Sequence, residues 1–218
     1  MTRESEDTSL RKELVAQYQR LADLGLNELS SGNLSARFGE NMLISANGAK
    51  AETIAVDTIV QVSLDGDWEG ERRPSSEWRM HAAIYKMHEE AKAIAHTHSD
   101  YCVALACNLM PLPGFHYLVG VFGGNDVPCI PYSTFGSQAL ADDAAPALTD
   151  RIACLLGNHG MIARGNNVQH AVNMAYRLEI MCRQYLLARQ HGEPKLLTDT
   201  EWEEFFAKGE KMKYGRDI

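Results

Sequence analysis

Three histidines and one glutamate carry the strongest chemical signal in this chain. In Ile94-Ala95-His96-Thr97-His98, two imidazoles stand two residues apart at the end of an apolar run. On a strand, side chains i and i+2 share a face, so both rings point at one spot. Glu77 precedes this pair and His159 follows it. One carboxylate and a third imidazole, brought in by folding, would complete a four-group set of the kind that binds Zn²⁺. Core packing alone is a weak account of the pair, because adjacent buried imidazoles need polar partners. Four protein ligands suit a closed structural site, but a carboxylate ligand can leave when substrate arrives. The spacing leaves both readings of the metal open.

A second set of residues is suited to anions. Ser31-Gly32-Asn33, Ser45-Ala46-Asn47-Gly48 and Ser75-Ser76 are small, polar turns that can present backbone N–H groups together with a hydroxyl or amide. The third opens a predicted helix, where the backbone dipole favours negative charge. Taken singly, each is ordinary turn and capping chemistry. Ser75 and Ser76 adjoin Glu77, however, so a phosphate held there would lie beside the metal. No phosphate-binding loop of the Walker type is present. Tyr117 and Tyr214 are possible proton donors, although their surroundings in the sequence read as packing or surface. His81, His88, His170 and His191 fall on predicted helices with no special role. No motif supports a cysteine or serine nucleophile.

The elements that must position these groups follow from periodicity. Leu10, Leu14, Tyr18, Leu21 and Leu24 recur every three or four residues and predict an amphipathic helix from about Leu10 to Leu24 capped by Gly25, with the first handful of residues loose. Strands are predicted from about Asn33, over Asn41–Ser45 and over Ile59–Leu64, separated by turns. Ser75-Ser76-Glu77 predicts a helix with Glu77 in its first turn and Met80, Ala83, Ile84 and Met87 as its buried stripe. A buried strand follows over Ala93–His98, then a helix to about Ala106. Cys129–Pro131 is a short strand and Gln138–Leu148 a helix. Ala153–Leu156 and Gly160–Arg164 are strands around the turn Gly157-Asn158-His159. A long helix over His170–Gln190 and a last one after Thr198-Asp199 complete the chain. Helices and strands alternate, yet several strands are hairpin-connected. This predicts an α/β fold of three layers, a mostly antiparallel central sheet flanked by helices.

The 218 residues carry no repeat, low-complexity segment or linker, which predicts a single domain over residues 1–218. The net charge of −8 and the lack of any Lys/Arg run argue against nucleic-acid or membrane-surface partners. No apolar run reaches membrane-spanning length, and the N-terminus lacks a signal-peptide pattern, so a cytoplasmic protein is expected. Five cysteines without a paired motif fit free thiols in a reducing compartment.

Six elements stand in one characteristic order: Ser31-Gly32-Asn33, the turn ending in Gly48, Pro74-Ser75-Ser76-Glu77-Trp78, His96-Thr97-His98, Pro131-Tyr132-Ser133-Thr134-Phe135-Gly136 and Asn158-His159-Gly160. In this the chain resembles the class II aldolase/adducin family from about Leu10 to Gly215. The resemblance implies a Zn²⁺-dependent aldehyde-lyase acting on a phosphorylated small molecule. A 1-phosphoketose would be cleaved to dihydroxyacetone phosphate and an aldehyde through a metal-stabilised enediolate. It implies that His96, His98 and His159 hold the metal. Glu77 would be the fourth ligand at rest and the acid/base once displaced. Gly32, Asn33, Asn47, Gly48, Ser75 and Ser76 would line the phosphate pocket, with Phe135 and Tyr214 at the aldehyde end. It further implies a homotetramer with sites at subunit interfaces, where Tyr117 would reach a neighbouring subunit's site as proton donor at the aldehyde oxygen. Mn²⁺, Co²⁺ and Fe²⁺ accept similar ligands. Asn47 stands where the family usually carries threonine, and Lys50 where it has an uncharged residue. These two residues keep an alternative open: a decarboxylase, epimerase or dehydratase of the same superfamily acting on a sugar acid or other carboxylate.

Overall fold

The computed structural model describes residues 2–212. Tyr214 lies outside the described residues. The chain runs through helix α1 (Arg3–Asp23), strands β1 (Asn33–Phe38), β2 (Asn41–Ser45) and β3 (Ile59–Ser63), then α2 (Trp78–Met87), β4 (Ala93–Thr97) and α3 (Asp100–Ala106). Two short strands, β5 (Leu112–Pro113) and β6 (Asp126–Val127), pair with each other around a 3₁₀ segment at Tyr117–Phe122. β7 (Cys129–Ile130), α4 (Gln138–Ala147), β8 (Ala153–Leu156), β9 (Gly160–Gly165), α5 (Val168–Arg189) and α6 (Asp199–Met212) follow.

Seven strands form one sheet in the order β3-β2-β1-β4-β9-β8-β7. Every neighbouring pair is antiparallel except β7 with β8. Both faces are covered, so the strands read as continuous apolar runs rather than as alternating ones. Leu43, Ala93, Ala95 and Ala163 belong to the core under α1, α3 and α5, with Leu14, Leu105 and Leu178. The residues between them, Met42, Ile44, Ile94 and Ile162, belong to the core under α2 and α4, with Met80, Ile84 and Leu140. The alanines let α5 approach the sheet closely, while larger side chains fill the space beneath α2 and α4. By the same alternation His96 faces the α2 side.

Four local expectations need correction. α1 begins at Arg3, not near Leu10: Thr2 caps it through Ser5 N, and Glu4 and Glu6 favour its first turn although that turn has no apolar stripe. α2 begins at Trp78 with Glu77 as its N-cap residue, so Glu77 is not in the first helical turn and its backbone is not helical. Met87 is 52% exposed at the helix end and does not join the buried stripe, and Ala83 is half-buried. β4 stops at Thr97, which leaves His98 one residue beyond the strand. Among the described residues, no helix is long and apolar enough to cross a membrane.

Candidate active site

Topology gathers the polar residues at one end of the sheet. β1 begins there at Asn33, paired across the ladder with His96 near the end of β4. The β2 end at Ser45, the β8–β9 turn and the chain after β7 lie at the same end, because their neighbours run antiparallel or, for β7 and β8, parallel with both ends there. Two glycines allow the close approaches. Gly32 has a φ of 82°, and a Cβ on it would come within 2.7 Å of the His96 carbonyl oxygen. A Cβ on Gly160 would overlap the Thr97 carbonyl and stand 3.1 Å from the His98 ring. A side chain at either position would push these turns away from the histidines. Asn158 takes the left-handed conformation that swings His159 inward, with its N–H donating to Ala106 O at 3.1 Å.

Glu77, His96, His98 and His159 meet at a single point, each with a ligand atom within 4.8 Å of the others. The three imidazole centroids are 4.8–4.9 Å apart with interplanar angles of 71–78°, like the blades of a propeller. Nε2 of His96 lies 3.0 Å from Nε2 of His98. Glu77 Oε2 is 2.7 Å from His96 Nε2 and 3.5 Å from His159 Nε2. His96 Nδ1 lies 2.8 Å from Met161 O, so Nδ1–H donates there and Nε2 turns a lone pair toward the cluster. Burial alone would raise the Glu77 carboxyl, but the His96 charge and hydrogen bond, with His159 and His81, hold it well below the usual carboxylate range. Burial lowers His98 and His159 to about 4, aided by their histidine neighbours and opposed by Glu77. The cluster therefore sets a carboxylate among three converging imidazole nitrogens, a donor set that a divalent cation can join in place of shared protons. Neighbouring ligand atoms around a tetrahedral Zn²⁺ stand about 3.3 Å apart, and the distances here bracket that value. These residues fit a divalent metal.

Beside the cluster lies a cleft of about 340 Å³ whose lining includes Asn47, Arg73, Ser75, Ser76, Arg79 and Phe135. Its floor is stitched by backbone bonds: Asn47 N donates to Arg73 O and Ser75 N to Ser45 O, both at 3.0 Å. Folding thus lays the second and third small-residue turns side by side. Gly136 N donates to Glu77 Oε1 at 3.4 Å, so the loop bearing Phe135 also touches the carboxylate that faces the cluster. Arg79 stacks on Trp78 with its guanidinium 4.6 Å from the ring centroid. The cleft offers hydroxyls, an amide and guanidinium groups, which suits an anion.

Of the residues singled out from the sequence, the structure brings together Glu77, His96, His98 and His159, places Gly32 and Asn33 against His96, and gathers Asn47, Ser75, Ser76 and Phe135 in the cleft. Gly48 follows Asn47 in the same exposed turn. Tyr117 is not brought to these groups: it is 47% exposed, stacked on His116 at 4.8 Å and 5.9 Å from Phe205. Lys50 is exposed and does not line the cleft. Sequence reasoning passed over Arg73 and Arg79, which flank the serines with no periodic signal. It also passed over His81, which is fully buried and bonded to Asn33 and Ser35. His81 stands four residues after Glu77, and that spacing could have marked it as lying on the same helix face.

The family model for the class II aldolase and adducin N-terminal domain matches residues 12–186. The chain is 39% identical to the 5-methylthioribulose-1-phosphate/5-deoxyribulose-1-phosphate aldolase of Rhodospirillum rubrum, over 92% of this chain and 90% of that protein. It is 36% identical to an L-fuculose phosphate aldolase of Escherichia coli, over 90% of this chain and 92% of that protein. Among solved structures, an L-fuculose 1-phosphate aldolase superposes with a TM-score of 0.88 at 37% identity, covering 94% of this chain and 97% of that one. The chain belongs to the class II aldolase and adducin family, and the expectations of an aldolase and of the three-layer fold stand.

Proposed function

We propose that this member of the family is a zinc-dependent aldehyde-lyase that cleaves a 1-phosphoketose to dihydroxyacetone phosphate and an aldehyde. The observation that supports this most is the shared segment Ser75-Ser76-Glu77. Its serines line the anion cleft and its carboxylate faces the three histidines. A substrate held by its phosphate in the cleft has its ketone carbon one bond from the phosphorylated carbon, and so within reach of the cluster. The relatives' names differ in the sugar but agree on a ketose phosphate, which fits a site that grips the common end.

In this reading His96, His98 and His159 hold the metal with Glu77 as the resting fourth ligand. A bound Zn²⁺ supplies Lewis acidity that stabilises the negative charge developing on the ketone side as the C–C bond breaks. Gly32, Asn33, Asn47, Gly48, Ser75 and Ser76 receive the phosphate. The electron pair of the breaking bond stays with the carbon next to the ketone, and Glu77 moves the proton at that carbon. Phe135 and Tyr214 shape the aldehyde end. Tyr117 exchanges the proton at the aldehyde oxygen of a neighbouring copy's site, within a homotetramer. Its exposure, with ring contacts only to His116 and Phe205, supports that assignment. The domain comprises residues 1–218.

The test is hydrogen exchange. Zinc-loaded protein is mixed with dihydroxyacetone phosphate in D₂O, and the C3 hydroxymethyl protons are followed by NMR. Exchange is expected without any aldehyde present. If zinc is bound and the fold intact but no exchange occurs, the lyase reading is wrong and sugar acids become the substrates to screen.

A further inference from the structure

We propose that His81 is a positioning residue that fixes the side-chain amide of Asn33 through a buried hydrogen-bond relay beginning at Tyr85. This rests on the reading of Asn33 as part of the phosphate cradle. His81 lies on α2 and Ser35 on β1, both fully buried, and Asn33 is 5% exposed at the start of β1. Nε2 of His81 is 2.5 Å from Asn33 Oδ1. Nδ1 is 2.7 Å from Ser35 Oγ, and Ser35 Oγ is 2.8 Å from the Tyr85 hydroxyl. Four side chains therefore form one unbranched line from beneath α2 to the mouth of the site.

The relay has a direction. A phenol donates better than it accepts, so Tyr85 O–H donates to Ser35 Oγ. Ser35 then directs its own proton to His81 Nδ1. The imidazole is left with its proton on Nε2, from which it donates to Asn33 Oδ1. Burial supports this state: it raises Tyr85 well above the usual phenol range and lowers His81 to about 3, so both groups stay neutral. The amide oxygen of Asn33 is thereby committed inward, and its N–H₂ is the end left to face a ligand. The two ends of an amide are nearly the same shape, so nothing steric prevents a flip. Flipped, Asn33 would turn lone pairs toward an anion instead of donors. The relay makes the cradle selective for negative charge without touching the ligand itself.

The histidines of the metal cluster provide an internal contrast. His96 donates from Nδ1 and presents Nε2 as an acceptor, the reverse of His81. A two-bond ¹H–¹⁵N spectrum of histidine-labelled, zinc-loaded protein separates the two tautomers. The His81 signal, identified by its loss in His81→Phe, is expected as the neutral Nε2–H form. Phosphate affinity is read by ³¹P titration with inorganic phosphate, and the dihydroxyacetone phosphate exchange reaction gives kcat and KM. His81→Phe is expected to weaken phosphate and raise KM about ten-fold, the scale of one lost charge-assisted hydrogen bond. Its kcat should stay within about three-fold and its zinc content should be unchanged. His81→Gln restores most of the loss, because its amide can donate to Asn33. Ser35→Ala, which removes only the group that sets the tautomer, gives a smaller loss and decides the matter if His81→Phe does not fold. An Nδ1–H tautomer at His81 overturns the proposal. So does normal phosphate binding in His81→Phe while Asn33→Ala is weakened. If Asn33→Ala binds phosphate as the wild type does, the cradle reading of Asn33 fails and the relay fails with it.

Discussion

The two halves of the site are electrostatic opposites built a few ångströms apart. The His96–His98–His159–Glu77 cluster gathers a carboxylate and three imidazoles that can turn lone pairs on one cation, on element ends and a tight turn, mostly out of solvent. The neighbouring cleft gathers donors, on loops and a helix start, with Arg73, Ser76, Arg79 and Phe135 exposed or partly so. The first arrangement suits a cation and the second an anion or water. The difference teaches where rigidity is needed. Converging lone pairs repel, so the cluster must be held by the sheet. Donors spread over a cleft are solvated without a ligand and need far less support.

That contrast predicts how each half fails. The largest effect is expected in the cluster: His96→Ala should abolish stoichiometric zinc binding and lower the exchange rate by at least about 10³-fold, measured by metal analysis and NMR exchange. Retained zinc at one per chain would break the idea that these four groups act as a unit. Glu77→Gln keeps a hydrogen-bonding side chain of the same size but cannot serve as base. Metal should remain with weakened affinity, while kcat falls about 10²–10⁴-fold. Full turnover with metal bound would remove Glu77 from the chemistry.

A third prediction concerns protons in chelator-treated protein. His98 and His159 are held at about 4 in the folded chain, chiefly by burial, against an ordinary value of 6.5. Between those values the unfolded chain binds more protons than the folded one. Stability is therefore complete above about 6.5 and is lost as pH falls toward 4. Urea midpoints should drop from pH 7.5 to pH 5 in the chelated protein, and zinc should raise the midpoint at pH 7.5 but lose that advantage toward pH 5, as protons compete for the same nitrogens. Equal midpoints without metal would contradict the neutral, buried state of these imidazoles. The smallest effect belongs to the cleft. Ser76→Ala or Arg79→Ala should raise KM about three- to ten-fold with kcat within about two-fold. A change in kcat alone would assign those residues to the reacting end instead.

Much of the fold was legible because its determinants are local. Leu14, Tyr18 and Leu21 mark α1, and Ala153–Leu156 and Gly160–Arg164 mark a hairpin whose turn carries a histidine. The start of α1 was not legible, since a cap and two acidic residues replaced the apolar signal. Serines commonly cap, so the sequence predicts Glu77 inside the helix. The ladder-like bond from Ser75 N to Ser45 O, made with a segment thirty residues earlier, holds the serine extended against β2, and α2 starts later with the carboxylate at its cap. His81 looked like any helical histidine, because its importance lies in contacts with β1 that no spacing on one helix reveals.

Residue type and spacing alone specify the groups available: three imidazoles and a carboxylate able to hold a metal, small turns able to expose N–H groups, and apolar runs long enough for a covered sheet. Those depend on residue type and short-range periodicity, which the chain states directly. Folding in three dimensions sets which nitrogen of each histidine faces which partner, that Arg73 and Arg79 join the serines, and that Tyr117 lies exposed against His116 and Phe205. Those depend on strand order and on antiparallel register. A shift of one residue in the register between β1 and β4 would move Asn33 off His96 and turn one of them to the opposite face of the sheet.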